Sequence, residues 1–220
     1  MKIFVDSGDP REVERAFALG FVDGVTTNPT SLTGDFHSRI NRLHDIMAVS
    51  YGPVSFQLLG PTYSDFMREA HNVLGMVNNP HNRLVIKLPC TIAGYRVSTE
   101  LSQRVFTNLT LCFNPGQAIL AAKSGASYIS PFMGRLDDVG RNSMNTLAQI
   151  ISAVRAHKIY KDSEILASSI RSVDHFLGAV MLGADALTAP FKVLVQLADD
   201  PLTSAGVEKF LKDVCDTNKS

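Results

Sequence analysis

The chain has 220 residues, 45% of them hydrophobic and 19% charged, and its 21 basic and 21 acidic side chains cancel to a formal net charge of zero. That length fills one sizeable domain and leaves little room for two. Balanced charge gives no support to a nucleic-acid or membrane-surface partner, and no apolar run approaches the length that spans a bilayer, so a cytoplasmic protein is expected.

In chain order, the opening "MKIFVDSGDP" reaches an aspartate and a proline too soon for a signal-peptide core. Residues 2–6 of it read as a strand. The next stretch, "DPREVERAFALG", offers Asp9 as a helix N-cap, Pro10 at the first helical position, Glu12 at capping-box spacing and Gly20 as a stop. Short apolar runs then predict strands over 23–26, 54–58, 84–88, 107–111, 128–130, 164–168 and 186–188, with helix-patterned segments between them. "NPGQAILAAKSG" repeats the helix grammar, Asn114 capping, Pro115 opening and Gly125 closing.

No linker or composition shift breaks this alternation, so residues 1–220 are read as a single domain. Eight strand–helix units favour a closed (β/α)8 TIM barrel over an open doubly wound sheet, and no glycine-rich dinucleotide fingerprint supports the latter. Beyond the eighth unit a helix over about 206–215 carries Val207, Phe210, Leu211 and Val214 at helical spacing. That stripe needs a cover, from a neighbouring subunit or from the chain's own barrel wall.

In such a barrel chemistry gathers at the C-terminal rim of the strands. Polar residues fall there on seven strands in turn: Asp6; Thr26 and Asn28; Gln57; Lys87; Asn108 and Thr110; Ser130 and Arg135; Ser169 and Arg171. Singly, most have a plain structural reading. Asp6 could form an Asx-turn, Asn28 could be a helix N-cap before Pro29, and strand-end hydroxyls or amides often satisfy backbone. Ser169 and Arg171, two apart, would point the same way if strand geometry continued through the loop.

Lys87 is harder to dismiss. It lies in "RLVIKLP", a strand read as buried on both faces, and lysine is almost never buried unpaired. Either its stem snorkels to the rim or the amine is functional, and both bring the nitrogen to the mouth. An amine among apolar walls loses part of its preference for the charged form, which suits a Schiff-base nucleophile. A nearby carboxylate such as Asp6 could then move protons for carbon–carbon cleavage.

Other chemistries fit less well. The six histidines, His37, His44, His71, His81, His157 and His175, show no H-x-H or H-x-x-x-H spacing, and Cys90, Cys112 and Cys215 form no C-x-x-C pair. No metal site, cofactor or disulfide framework is expected. Nucleophile elbows and Walker loops are likewise missing from the sequence.

With these residues in view, the chain resembles the small transaldolase family, which includes the fructose-6-phosphate aldolases. The resemblance runs from "KIFVDS" through "DGVTTNPT", "VIKLP", "NLTLCFNPGQAILAAKSGASYISPFMGRLDD" and "LASSIRS" to "TAPFKVL" and the tail. It implies a (β/α)8 barrel, metal-free class I aldol chemistry on sugar phosphates, and a ring-shaped homo-oligomer, a pentamer or decamer. By position it implies Lys87 as the Schiff-base lysine and Asp6 as the acid/base carboxylate. Asn28 and Asn108 would bind the dihydroxyacetone unit, with Thr26, Ser130 and Phe132 beside them. Thr110 and Gln57 would hold a catalytic water, and Arg135, Ser169 and Arg171 the phosphate.

The resemblance divides at two positions. Gln57 follows the habit of the fructose-6-phosphate aldolases, where transaldolases usually carry glutamate, whereas Phe132 is transaldolase-like and Asn108 leans the same way. "VGRNSM" also lacks an acidic residue that relatives often carry, to which no role is attached. The expected function is transfer of a dihydroxyacetone unit between ketose and aldose phosphates in the pentose phosphate pathway. An aldolase releasing free dihydroxyacetone is the alternative, and a sugar-phosphate-binding barrel without turnover is the alternative of another class.

Overall fold

Eight parallel strands pair in sequence order and close on themselves: β1 (Lys2–Asp6), β2 (Gly24–Thr26), β3 (Val54–Gln57), β4 (Leu84–Pro89), β5 (Phe106–Cys112), β6 (Tyr128–Pro131), β7 (Glu164–Ala167) and β8 (Ala186–Ala189). This is a computed structural model describing residues 1–156 and 162–217, so His157 lies outside it. The ring shuts where β1 pairs with β8, Lys2 against Ala186 through Val5 against Ala189. Helices α1 (Pro10–Ala18), α2 (Phe36–Val49), α3 (Tyr63–Met76), α4 (Ile92–Leu101), α5 (Pro115–Lys123), the short α6 (Met133–Asp137), α7 (Ser143–Arg155), α8 (Val173–Met181) and α9 (Phe191–Gln196) alternate with the strands, and α10 (Pro201–Thr217) follows. The single (β/α)8 barrel with an added C-terminal helix is the expected fold.

Local sequence explains where the helices begin and end. Asp9 caps α1 by accepting from the N–H of Arg11 at 3.0 Å, so Glu12 is not the capped residue that its spacing suggested. At α5, Asn114 accepts from the N–H of Gln117 and the Gln117 side chain accepts from that of Phe113, which satisfies two free donors reciprocally. Gly20 and Gly125 close α1 and α5 with φ of +82° and +76°, which only glycine adopts without strain.

Period-two alternation sends one set of side chains into the barrel and the other against the helices. The larger core lies outside the strands, where residues such as Val5, Val25, Phe56, Ile86, Leu109 and Ile129 meet the inner helix faces. Inside, Phe4, Val85, Tyr128, Leu166 and Ala186 form a separate apolar layer, with the Phe4 and Tyr128 rings edge to face at 5.7 Å. This plug is the floor of the upper half of the barrel.

Two expectations need correction. β7 stops at Ala167, Ser168 makes an isolated bridge to Phe132, and Ser169 turns left-handed at φ +59°. Strand geometry therefore does not carry Ser169 and Arg171 in one direction. The cause is α6, whose first N–H groups, from Met133 and Gly134, are met by the carbonyls of Ser168 and Ser169 at 2.9 and 3.0 Å. Second, α10 starts at Pro201 rather than near 206, because Asp200 caps it by accepting from the N–H of Leu202. Of the two covers open to the stripe on α10, the chain's own barrel wall does not serve, since Val207, Phe210, Leu211 and Val214 are 52%, 67%, 63% and 61% exposed. Among the described residues, no helix is long and apolar enough to cross a membrane.

Candidate active site

Lys87 is buried on β4, with 2% of its surface exposed, among in-register neighbours Gln57 on β3 and Asn108 on β5. Its Nζ donates to the carbonyl of Thr27 at 3.0 Å and stands 5.8 Å from the centre of the Phe132 ring. Burial pushes the amine below the ordinary lysine range, and the charge of Asp6 opposes that shift without cancelling it. One N–H of this amine is committed to a carbonyl, and burial disfavours its charged form.

Asp6, at the end of β1, is partly exposed toward the mouth. Its Oδ1 accepts from the hydroxyl of Thr26 at 3.0 Å and the amide of Asn28 at 3.4 Å. The Asn28 side chain holds a turn and faces the site at once: its Oδ1 accepts from the N–H groups of Thr30 and Ser31, which leaves Nδ2 aimed at Asp6. No helix follows Asn28, so it is not the helix N-cap its place before Pro29 suggested; its Oδ1 closes a turn while Nδ2 reaches Asp6.

Asn108 is fully buried, its Oδ1 accepting from the Ser130 hydroxyl at 2.7 Å and its Nδ2 donating to Ser55 Oγ at 3.2 Å. That leaves one amide proton for a ligand, with the amide unable to flip without losing both bonds. Thr110 is buried, and its hydroxyl has no partner among the described residues. A buried hydroxyl left unpaired costs about 1–3 kcal/mol, so a water or substrate oxygen is its natural complement. The backbone bulges immediately after it, at Leu111 with φ +56°.

Gln57 ends β3, where Arg39 fixes the backbone. The Arg39 guanidinium donates to the Gln57 carbonyl and to Glu69 at 3.0 Å, and Glu69 accepts from the N–H of Leu59. The remaining rim residues gather around α6. Arg135 is exposed, and Arg171 lies against Gly134, where a Cβ would come 2.5 Å from Arg171 Nε and 2.7 Å from the Ser169 carbonyl. The left-handed turn at Ser169 thus still brings Ser169 and Arg171 to one place.

Five contributors escaped the sequence reading. Ser55 shares the inner face with Gln57 two residues on, a period-two signal that was legible. Asp138, in "GRLDD", binds Arg171. Thr27, Gly134 and Thr188 act through a carbonyl, a missing Cβ and a contact across the barrel, none of which leaves a local pattern. A cavity of about 1100 Å³ at the opposite, N-terminal face is lined by Lys2, Tyr128 and Glu164 among others, and includes none of the rim set. The apolar floor separates the two faces. Among the described residues, no group of three or more His, Cys, Asp or Glu side chains is placed to hold a metal ion.

The model of the transaldolase/fructose-6-phosphate aldolase family matches residues 3–219. A probable transaldolase of Anaeromyxobacter sp. (strain Fw109-5) is 42% identical over 214 residues, covering 97% of both chains. Proteins of the same description from Citrifermentans bemidjiense and Myxococcus xanthus are 40% and 37% identical, over 97% of this chain and 97% and 94% of theirs. Among solved structures, inosine 5′-monophosphate dehydrogenase from Legionella pneumophila superposes with a TM-score of 0.62 at 12% identity, over 88% of this chain and 58% of that one. At that identity the likeness speaks for the barrel alone.

Proposed function

The chain belongs to the transaldolase/fructose-6-phosphate aldolase family, and from that premise we propose that it is a class I transaldolase carrying a dihydroxyacetone unit on Lys87. The observation that supports this reading most is the buried Lys87 amine, its pKa lowered by desolvation, within the field of Asp6. Burial favours the free amine that attacks the C2 carbonyl of a ketose phosphate. The carbinolamine then loses water, and the iminium places a fixed positive charge where Asp6 is ready to balance it.

Asp6 next takes the proton of the C4 hydroxyl. The C3–C4 bond breaks, its electron pair passes into the iminium to give an enamine, and an aldose phosphate departs. A second aldose phosphate offers its carbonyl carbon to the enamine, and Asp6 returns the proton to the new hydroxyl. Hydrolysis of the iminium frees the product ketose phosphate. In this cycle Asn28 and Asn108 hold the three-carbon unit, with Thr26, Ser130 and Phe132 around it. Thr110 and Gln57 hold the water that enters and leaves at C2, and Arg135, Ser169 and Arg171 bind phosphate.

Gln57 supports a second reading, an aldolase that releases free dihydroxyacetone, because glutamine there is the habit of the fructose-6-phosphate aldolases. Phe132 supports transfer: its ring has no donor or acceptor with which to organise a water for that release. Fructose 6-phosphate supplied with and without erythrose 4-phosphate separates the two. Transfer predicts glyceraldehyde 3-phosphate beyond one equivalent per site only when the acceptor is present, whereas release predicts continued dihydroxyacetone without it. Absence of any turnover would favour the binding-only barrel.

The exposed α10 stripe supports a homo-oligomer in which a second copy covers Val207, Phe210, Leu211 and Val214. We take the ring of five or ten subunits from the family resemblance. A place in the pentose phosphate pathway, in the cytoplasm, follows from the same substrates.

A further inference from the structure

Thr188 lies on the inner face of β8, 3% exposed, and its Oγ1 meets Thr26 Oγ1 at 2.7 Å across β1, which runs between their strands. Thr26 in turn donates to Asp6 Oδ1 at 3.0 Å. We infer that Thr188 is a positioning residue for the reaction, setting the direction of the Thr26 hydroxyl and through it the carboxylate of Asp6. The inference rests on the role proposed above for Asp6.

Proton counting fixes the direction of the chain. A carboxylate acting as base has no proton to give, so the single hydroxyl proton of Thr26 goes to Asp6. The contact between the threonines must then be donated by Thr188. Thr188 has no other hydrogen-bond partner among the described residues, and Thr26 is 1% exposed, so water does not compete for either hydroxyl. With Oδ1 held by Thr26 and Asn28, Oδ2 is the oxygen left to face a substrate hydroxyl. From β4, Lys87 is close enough to feel the charge of Asp6 across the mouth.

On this account Thr26 does not touch substrate, although the family resemblance placed it among the binding residues. Its hydroxyl is spent on Asp6, and Thr188 keeps it so. Removing the Thr188 hydroxyl frees the Thr26 rotor, and Asp6 loses the anchor that aims Oδ2. Schiff-base formation at Lys87, which precedes proton removal from C4, is untouched.

The test combines steady-state rates with borohydride trapping on fructose 6-phosphate and mass spectrometry of the Lys87 peptide. Thr188→Ala and Thr188→Val should lower kcat about tenfold, a fraction of what general-base catalysis supplies, and Thr188→Ser should stay near wild type. In the first two the trapped adduct should shift from a three-carbon fragment to the intact six-carbon sugar phosphate, because cleavage now lags behind iminium formation. The double variant Thr26→Ala/Thr188→Ala should be no slower than Thr26→Ala alone. Wild-type kcat with a three-carbon adduct in Thr188→Ala, or losses that multiply in the double variant, would overturn the inference. Asp6→Asn, measured alongside, should itself accumulate the six-carbon adduct. If it turns over normally, the proposed role of Asp6 fails; if it stalls while Thr188→Ala does not, only the role of Thr188 fails.

Discussion

Arg171 clasps Asp138 through both ends of its guanidinium, Nη1 to Oδ1 at 2.5 Å and Nη2 to Oδ2 at 2.6 Å. Both side chains are about half exposed, so the pair adds little to stability, and its consequence is orientation. It turns the Nε edge of Arg171 toward Gly134, where only a residue without Cβ leaves room. Exposed Arg135 is then the freer guanidinium for a phosphate. Arg135→Ala should weaken turnover of glyceraldehyde 3-phosphate as acceptor by about 10- to 100-fold, the range of one charge-assisted hydrogen bond. Unphosphorylated glyceraldehyde should be nearly unaffected. Comparing kcat/KM for the two acceptors decides it, and equal losses would make the arginine structural.

The unpartnered hydroxyl of Thr110 predicts a split between stability and activity. Thr110→Val removes a buried hydroxyl that has no partner among the described residues, so the variant should be no less stable than wild type and up to about 1–3 kcal/mol more stable. Iminium formation should slow about tenfold, because the water at C2 loses its anchor. A Tm measurement beside the rate of borohydride trapping checks both halves, and an unchanged trapping rate contradicts the role.

The eight strands were legible because a buried parallel strand reads as a short apolar run, and a polar residue at its end stands out against that run. The same contrast exposed Lys87. What stayed hidden were partners whose meaning lies in a neighbour. Thr188 sits in "ALTAP", where a hydroxyl looks like ordinary strand composition until β2 is found beside it across β1. The left-handed turns at Leu111 and Ser169 carry no glycine to announce them. The early start of α10 was legible, since "DDP" repeats the cap-and-proline grammar of α1 and α5, but the apolar stripe drew the boundary inward.

Burial lowers the Lys87 amine, and that has a pH signature. Since the folded chain binds that proton less readily than the unfolded one, the charged form weighs against folding. The penalty is full below the folded pKa and fades as pH rises toward the ordinary lysine value of 10.5. Formation of the iminium should therefore reach its plateau below that value, and Lys87→Met should gain stability at neutral pH relative to its difference from wild type near pH 10. Tm across that range measures the effect, and a gain that grows with pH would contradict the sign.

On the proposed cycle, Gln57 and Phe132 would decide which reaction wins. Gln57 orients water but cannot ionise, so Gln57→Glu should speed transfer several-fold. Phe132→Tyr places a hydroxyl beside the lysine, given that the ring stands 5.8 Å from Nζ. It should raise free dihydroxyacetone relative to transfer by roughly tenfold. Product ratios from fructose 6-phosphate and erythrose 4-phosphate are the readout. A wild-type enzyme that releases dihydroxyacetone as fast as it transfers it would make the aldolase reading the better one.

If Lys87 carries the substrate covalently, borohydride reduction in the presence of fructose 6-phosphate should leave a three-carbon adduct on the Lys87 peptide, found by mass spectrometry. Lys87→Ala should show neither adduct nor turnover. An adduct on Lys2, Lys123 or Lys192, with Lys87→Ala still active, would contradict a covalent role for Lys87.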